Sequence, residues 1–320
     1  MKKHEYKQLF AGLILLSAVV FAATHYGEFS QFVRLIRSID PSWLSAALFL
    51  QLGTYVALAM VWYRTLLQAG VRYQLYRLVP LAVAKLFTDK AVPSGGISGI
   101  AFFFNALRQR DVPVAVCMRV MLTDILSYYA AYILATTASL FLLWQYHDIR
   151  RWMVVVAAIF VAIALFIPGV ILFLKQLGAS DRLPAWIVSS PRAAPLMEIL
   201  SKAPESRGEQ TRLRPLLFFE VTMYQSAIII LDSLTLWSML QALGEPILVF
   251  LAYPCLVFAS MAALLSPIPL GLGTFEAASV GLLIMFRIRI ETALTATLLF
   301  RGLTLWLPML PGLFVARMKI

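Results

Sequence analysis

Glu276 stands three residues after Gly273 in the run Ser266-Pro267-Ile268-Pro269-Leu270-Gly271-Leu272-Gly273-Thr274-Phe275-Glu276-Ala277, which sets prolines, glycines and a carboxylate inside an apolar region. In the first turn of a helix such a carboxylate caps backbone N–H groups. It can equally accept a proton, or pair with Arg301 or Arg119. Arg301 follows Glu291 by ten residues, which puts about 15 Å of helix between it and the nearest interface. It is therefore expected either to pair with Glu276 or Asp232, or to hold a phosphate with its two-pronged guanidinium. Arg119 and Asp124, five residues apart, invite the same two readings. Charges inside a membrane are costly and mark a pathway or a pair.

A second break, Pro93-Ser94-Gly95-Gly96-Ile97-Ser98-Gly99, lies in the other half of the chain. Gly95, Gly96, Gly271 and Gly273 allow the sharp turns that such breaks need. A helix is expected to start after each, and its free N–H groups and positive dipole end favour anions. Before the first break come Lys85, Asp89 and Lys90, and Lys85 and Asp89 can share a helix face. Backbone freed from helix at membrane depth survives only against protein or a wet cavity. One such break reads as a packing kink; two in corresponding places point to a transport site.

The remaining chemistry is sparse. His4, His25 and His147 are far apart, and Cys117 and Cys255 have neither metal-like nor redox-like spacing. No metal, no cofactor and no catalytic centre are expected. The net charge of +11 fits Lys and Arg gathered in cytoplasmic loops better than nucleic-acid binding.

The elements that position these residues are membrane helices. Of 320 residues 61% are hydrophobic and 13% charged, against about 45–50% and about 25% in soluble domains. Uncharged runs at residues 8–27 and 41–63 have spanning length, and further spans are expected at 113–146, 152–174, 216–244 and 291–315. The span at 152–174 is expected to kink at Pro168-Gly169. Glu220 lies near an end of its span and Asp232 near the middle. Residues 78–107 and 246–286 read as interrupted re-entrant hairpins, and 175–215 as a cytoplasmic loop. The expectation is an all-α polytopic membrane protein, one transmembrane domain with about six full spans and two hairpins.

With the N-terminus in the cytoplasm and both hairpins returning to the side they entered, 17 Lys and Arg fall inside and 6 outside. The positive-inside rule favours this arrangement, with both termini cytoplasmic. The hairpins then enter from opposite sides, so half one (about 41–146) and half two (about 216–315) form an inverted repeat. Pro93 precedes Arg119 by 26 residues and Pro269 precedes Arg301 by 32.

Pro267-Ile268-Pro269-Leu270-Gly271-Leu272-Gly273-Thr274-Phe275-Glu276-Ala277 resembles the PxPGGLGxxEA signature of the lysylphosphatidylglycerol synthase transmembrane, or flippase-like, family. The break from Pro93 to Gly99 is similar to its earlier PSGGxGG-type motif. Leu270 stands where a glycine is usual, and Ser98-Gly99-Ile100-Ala101 lacks the acidic residue and arginine often found after the first motif. The resemblance implies a multispan protein of the bacterial inner membrane that moves lipids or lipid-linked glycans between leaflets. Membrane lipids, polyprenyl-linked lipids and cell-envelope biosynthesis proteins are the partners it implies. Large members carry a soluble aminoacyl-transferase domain after the membrane region; this sequence stops at Ile320, so synthase activity is not expected. The alternative is a proton-coupled carrier of a soluble solute using Asp89, Asp232 and Glu276. An integral-membrane transferase is a third reading, without a nucleotide motif behind it.

Overall fold

The computed structural model describes residues 39–91, 97–146, 149–178, 214–266, 268 and 271–306. The described residues form nine α-helices and no strand: α1 (Pro41–Gln68), α2 (Leu75–Ala91), α3 (Ile97–Arg108), α4 (Val114–Gln145), α5 (Arg151–Gly178), α6 (Pro215–Ala242), α7 (Val249–Leu265), α8 (Thr274–Met285) and α9 (Ile290–Arg301). A π-helical turn over Gly302–Trp306 extends α9. The span expected at 8–27, most of the connector at 175–215 and the end of the last span lie outside the described residues.

Helices α1, α4 and α6 are long and apolar enough to cross a membrane. Large apolar side chains such as Phe49, Phe166 and Leu216 face outward, as lipid-facing residues do. Helix α5 continues through Pro168 and Gly169, where the sequence suggests a kink. Prolines also sit inside α2 (Pro80) and α7 (Pro254). Neighbouring helices and local adjustments make such prolines tolerable in membranes. Several hydroxyls are satisfied within their own helices, as where Thr65 donates to the Val61 carbonyl at 2.8 Å and Thr235 to that of Leu231 at 2.8 Å.

Helices α1 and α6 form the central pair and run antiparallel along their length. The Asp40 N–H donates to the Ala242 carbonyl at 3.1 Å, Trp43 meets Trp237 edge-on at 5.1 Å, and Arg64 meets Glu220 at 2.6 Å. Midway, Gly53 lets the pair close; a Cβ there would lie 3.3 Å from Leu231.

The elements on either side of this pair match in length. Helices α1, α2 and α3 have 28, 17 and 12 residues, and so do α6, α7 and α8. Both α1 and α6 open on a proline, which suits the first helical turn. Pro80 and Pro254 are each the sixth residue of their helix. Both central helices end in a left-handed glycine, Gly70 at φ 79° and Gly244 at φ 78°. In each the next N–H reaches back to the helix, Val71 to Leu66 at 3.0 Å and Glu245 to Leu240 at 3.1 Å. Helices α3 and α8 end the same way around Asp111 (φ 60°) and Arg287 (φ 65°).

Each broken pair of helices packs into its own apolar core. Helices α2 and α3 bury Leu78, Leu81 and Phe103 against Trp62 and Leu66 of α1. Helices α7 and α8 bury Phe258, Phe275 and Leu282 with Met239 of α6 and Phe300 of α9.

Candidate functional site

At the second break the chain turns on two left-handed glycines, Gly271 at φ 60° and Gly273 at φ 81°. Gly273 caps α8, and its N–H donates to Glu276 Oε2 at 2.7 Å. The other oxygen, Oε1, accepts from Arg301 Nε at 2.8 Å. One carboxylate thus does both of the jobs that the sequence leaves as alternatives. The side chains are 16% and 10% exposed, so the pair lies in the interior. Phe275, beside Glu276, stacks on Phe300 and offers its ring face to the Arg301 guanidinium at 4.9 Å. One turn further along, the hydroxyls of Ser279 and Thr297 are 3.0 Å apart. Arg301 is also the residue at which α9 passes into the π-helical turn, a local change common at functional sites.

A second buried pair belongs to the first broken pair of helices. Lys85 of α2 lies 3.0 Å from Asp124 Oδ2 of α4, and Gln225 of α6 donates to Asp124 Oδ1 at 2.9 Å. Asp124 therefore ties three helices together. The Lys85 ammonium also lies 5.7 Å from the Trp62 ring centre. Arg119 lies five residues nearer the start of α4 and donates to the Gln68 side chain. Arg64 and Glu220 form a third, half-exposed pair with two contacts, at 2.6 and 2.9 Å. Asp232 sits mid-α6, half-buried, within electrostatic reach of Tyr55 on α1 and Tyr132 on α4. Pro93, Gly95, Gly96, Pro269 and the side chain of Asp89 lie outside the described residues.

The model of the family described as lysylphosphatidylglycerol synthase TM region matches residues 8–312. The chain belongs to this family. No curated protein matches it. With its apolar helices, this member of the lysylphosphatidylglycerol synthase TM region family is a multi-pass membrane protein.

In this family member, Glu276 and Arg301 come together, one of the alternatives the sequence leaves open, and Asp124 pairs with Lys85. Gln225 was not singled out by sequence reasoning. Its signal was a lone amide in an apolar run, and Gln51 stands at the matching place in α1; both are 4% exposed. The Arg64–Glu220 pair was missed for another reason. Pairing them requires the antiparallel register of α1 and α6, which no local pattern encodes. Among the described residues no group of three His, Cys, Asp or Glu could hold a metal ion.

Proposed function

We propose that this protein binds a lipid or lipid-linked glycan through its anionic head group and moves it between the leaflets of the bacterial inner membrane, without a catalytic step of its own. The observation that carries the reading is the buried Glu276–Arg301 pair at the second break, held at 2.8 Å. A guanidinium already ordered by a carboxylate needs little further ordering to meet a phosphate. The Lys85–Asp124 pair, between α2 and α4, supports the same reading in the first half of the chain.

The matched helix lengths and the antiparallel α1 and α6 support an inverted repeat, because an axis relating two antiparallel equivalents must run across them. Rocking of one half against the other about a central site is the usual way such folds give alternating access. The end of the bundle that holds Arg64, Arg72, Arg77, Arg108, Arg110 and Arg214 fits the cytoplasm. The other end, with Arg150, Arg151, Arg287 and Arg289 against Asp40, Glu245 and Glu291, fits the outside. The half-buried Asp232 favours the second reading, a proton-coupled carrier of a soluble solute.

Reconstitution into liposomes with labelled phospholipids and polyprenyl phosphates separates the two. Protein-dependent leaflet exchange is the expected result. Saturable uptake of a water-soluble solute with no lipid movement would replace the first reading with the second.

A further inference from the structure

The two feet of the first broken helix pair meet at the arginine-rich end of the bundle, around a cavity of about 500 Å³. Arg72, Tyr73 and Gln74 from the α1–α2 connector line it, with Arg77 from the first turn of α2 and Arg110 from the α3–α4 connector. The Arg110 guanidinium lies over the Tyr73 ring at 5.8 Å, and its Nη1 is buried with no hydrogen-bond acceptor among the described residues. Across residues 69–77 and 108–113 the charged groups are Arg72, Arg77, Arg108 and Arg110 against Asp111 alone. A cavity walled by guanidinium groups, one of them with an unused buried donor, is short of an anion. Burial pushes the Tyr73 phenol up from its ordinary value, and Arg110 and Arg77 pull it back.

The second half supplies an internal control. Counted from the helix ends, Arg72, Tyr73 and Arg77 correspond to Pro246, Ile247 and Leu251. Arg110 precedes left-handed Asp111 as Phe286 precedes left-handed Arg287. Ile247 and Phe286 pack against the core there. The same scaffold is thus closed with apolar side chains at the opposite end, so folding does not demand the arginines.

We infer that this cavity is a binding site for a phosphate group, placed where a phospholipid head group at the membrane surface would enter. The lipid as source rests on the proposed function, whereas the phosphate chemistry does not. Guanidinium forks take phosphate oxygens two at a time, and a tyrosine beside them suits the head-group layer.

The test uses the full chain in phosphatidylcholine nanodiscs doped with phosphatidylglycerol, with retained lipids counted by native mass spectrometry, and titration of inorganic phosphate in neutral detergent as a second arm. Wild type is expected to retain phosphatidylglycerol over phosphatidylcholine. The double variant Arg77→Leu/Arg110→Phe, which carries the other half's residues, is expected to lose that preference about tenfold, as is Arg72→Glu at an exposed position that cannot unfold the core. Phosphate binding without lipid preference, lost in the same variants, would uphold the site with a soluble ligand. Retention and phosphate binding equal to wild type in folded variants would overturn it. Retention without any leaflet exchange by the wild type would uphold the site while sinking the proposed function.

Discussion

A Cβ placed on Gly271 would lie 2.4 Å from the Cβ of Ala263, so the turn after the second break closes directly onto the helix that precedes it. Gly271 also has φ 60°, whereas Gly273 at φ 81° has nothing within 4 Å of its would-be Cβ. Two glycines in one motif therefore have different duties. Gly271→Ala combines left-handed strain of about 1–2 kcal/mol with overpacking of about 1–3 kcal/mol. Gly273→Ala carries the strain alone. Thermal unfolding in detergent should rank Gly271→Ala clearly below Gly273→Ala, and equal losses would mean that the close approach does not matter.

Glu276 joins a helix start to a distant arginine, so its substitutions should separate the two roles. Glu276→Gln keeps an oxygen for the Gly273 N–H but loses the charge facing Arg301. Glu276→Ala loses both. Removing one partner of a buried pair costs about 3–5 kcal/mol, and loss of a cap adds about 1 kcal/mol. Denaturant unfolding should place Glu276→Gln between wild type and Glu276→Ala, with function impaired in both.

Asp124 is the junction of α2, α4 and α6 through Lys85 and Gln225. Asp124→Leu takes the carboxylate away from the Lys85 ammonium, whereas Lys85→Met/Asp124→Leu removes both charges. Replacing a buried pair with apolar residues is often neutral, and breaking it is not. The double variant should unfold at a higher temperature than the single. The reverse order would show that Lys85 does not depend on Asp124.

Much of this architecture is legible in the sequence, though some of it only in retrospect. Pro41, Pro80 and Pro93 recur 174 residues later as Pro215, Pro254 and Pro267, and Gly70 recurs as Gly244. That spacing supports the proposed repeat more directly than the comparison of Pro93 to Arg119 with Pro269 to Arg301. The charge pairs are legible only in part. Glu276 and Arg301 could be matched because few partners exist for either, whereas the contact of Lys85 with Asp124 on another helix has no local sequence signal. Helices bathed in lipid are apolar on nearly all faces, so hydrophobic periodicity does not say which face meets which neighbour.

Orientation has its own test. Cys117 and Cys255 are buried, so in intact cells a membrane-impermeant thiol reagent reads introduced cysteines. Arg287→Cys should react from outside, while Arg72→Cys and Arg192→Cys should react only after the membrane is opened. Outside labelling at position 192 would contradict the proposed orientation.

The central claim is that the buried guanidinium of Arg301 meets the lipid head group. It is tested most directly by leaflet exchange of labelled phosphatidylglycerol and labelled polyprenyl phosphate in proteoliposomes, comparing wild type with Arg301→Lys and Arg301→Ala that retain a cooperative melt. Wild type is predicted to speed exchange of at least one of the two, Arg301→Lys to slow that exchange by losing the two-pronged contact, and Arg301→Ala to slow it about tenfold or more. Exchange at the wild-type rate in folded Arg301→Ala would contradict the account.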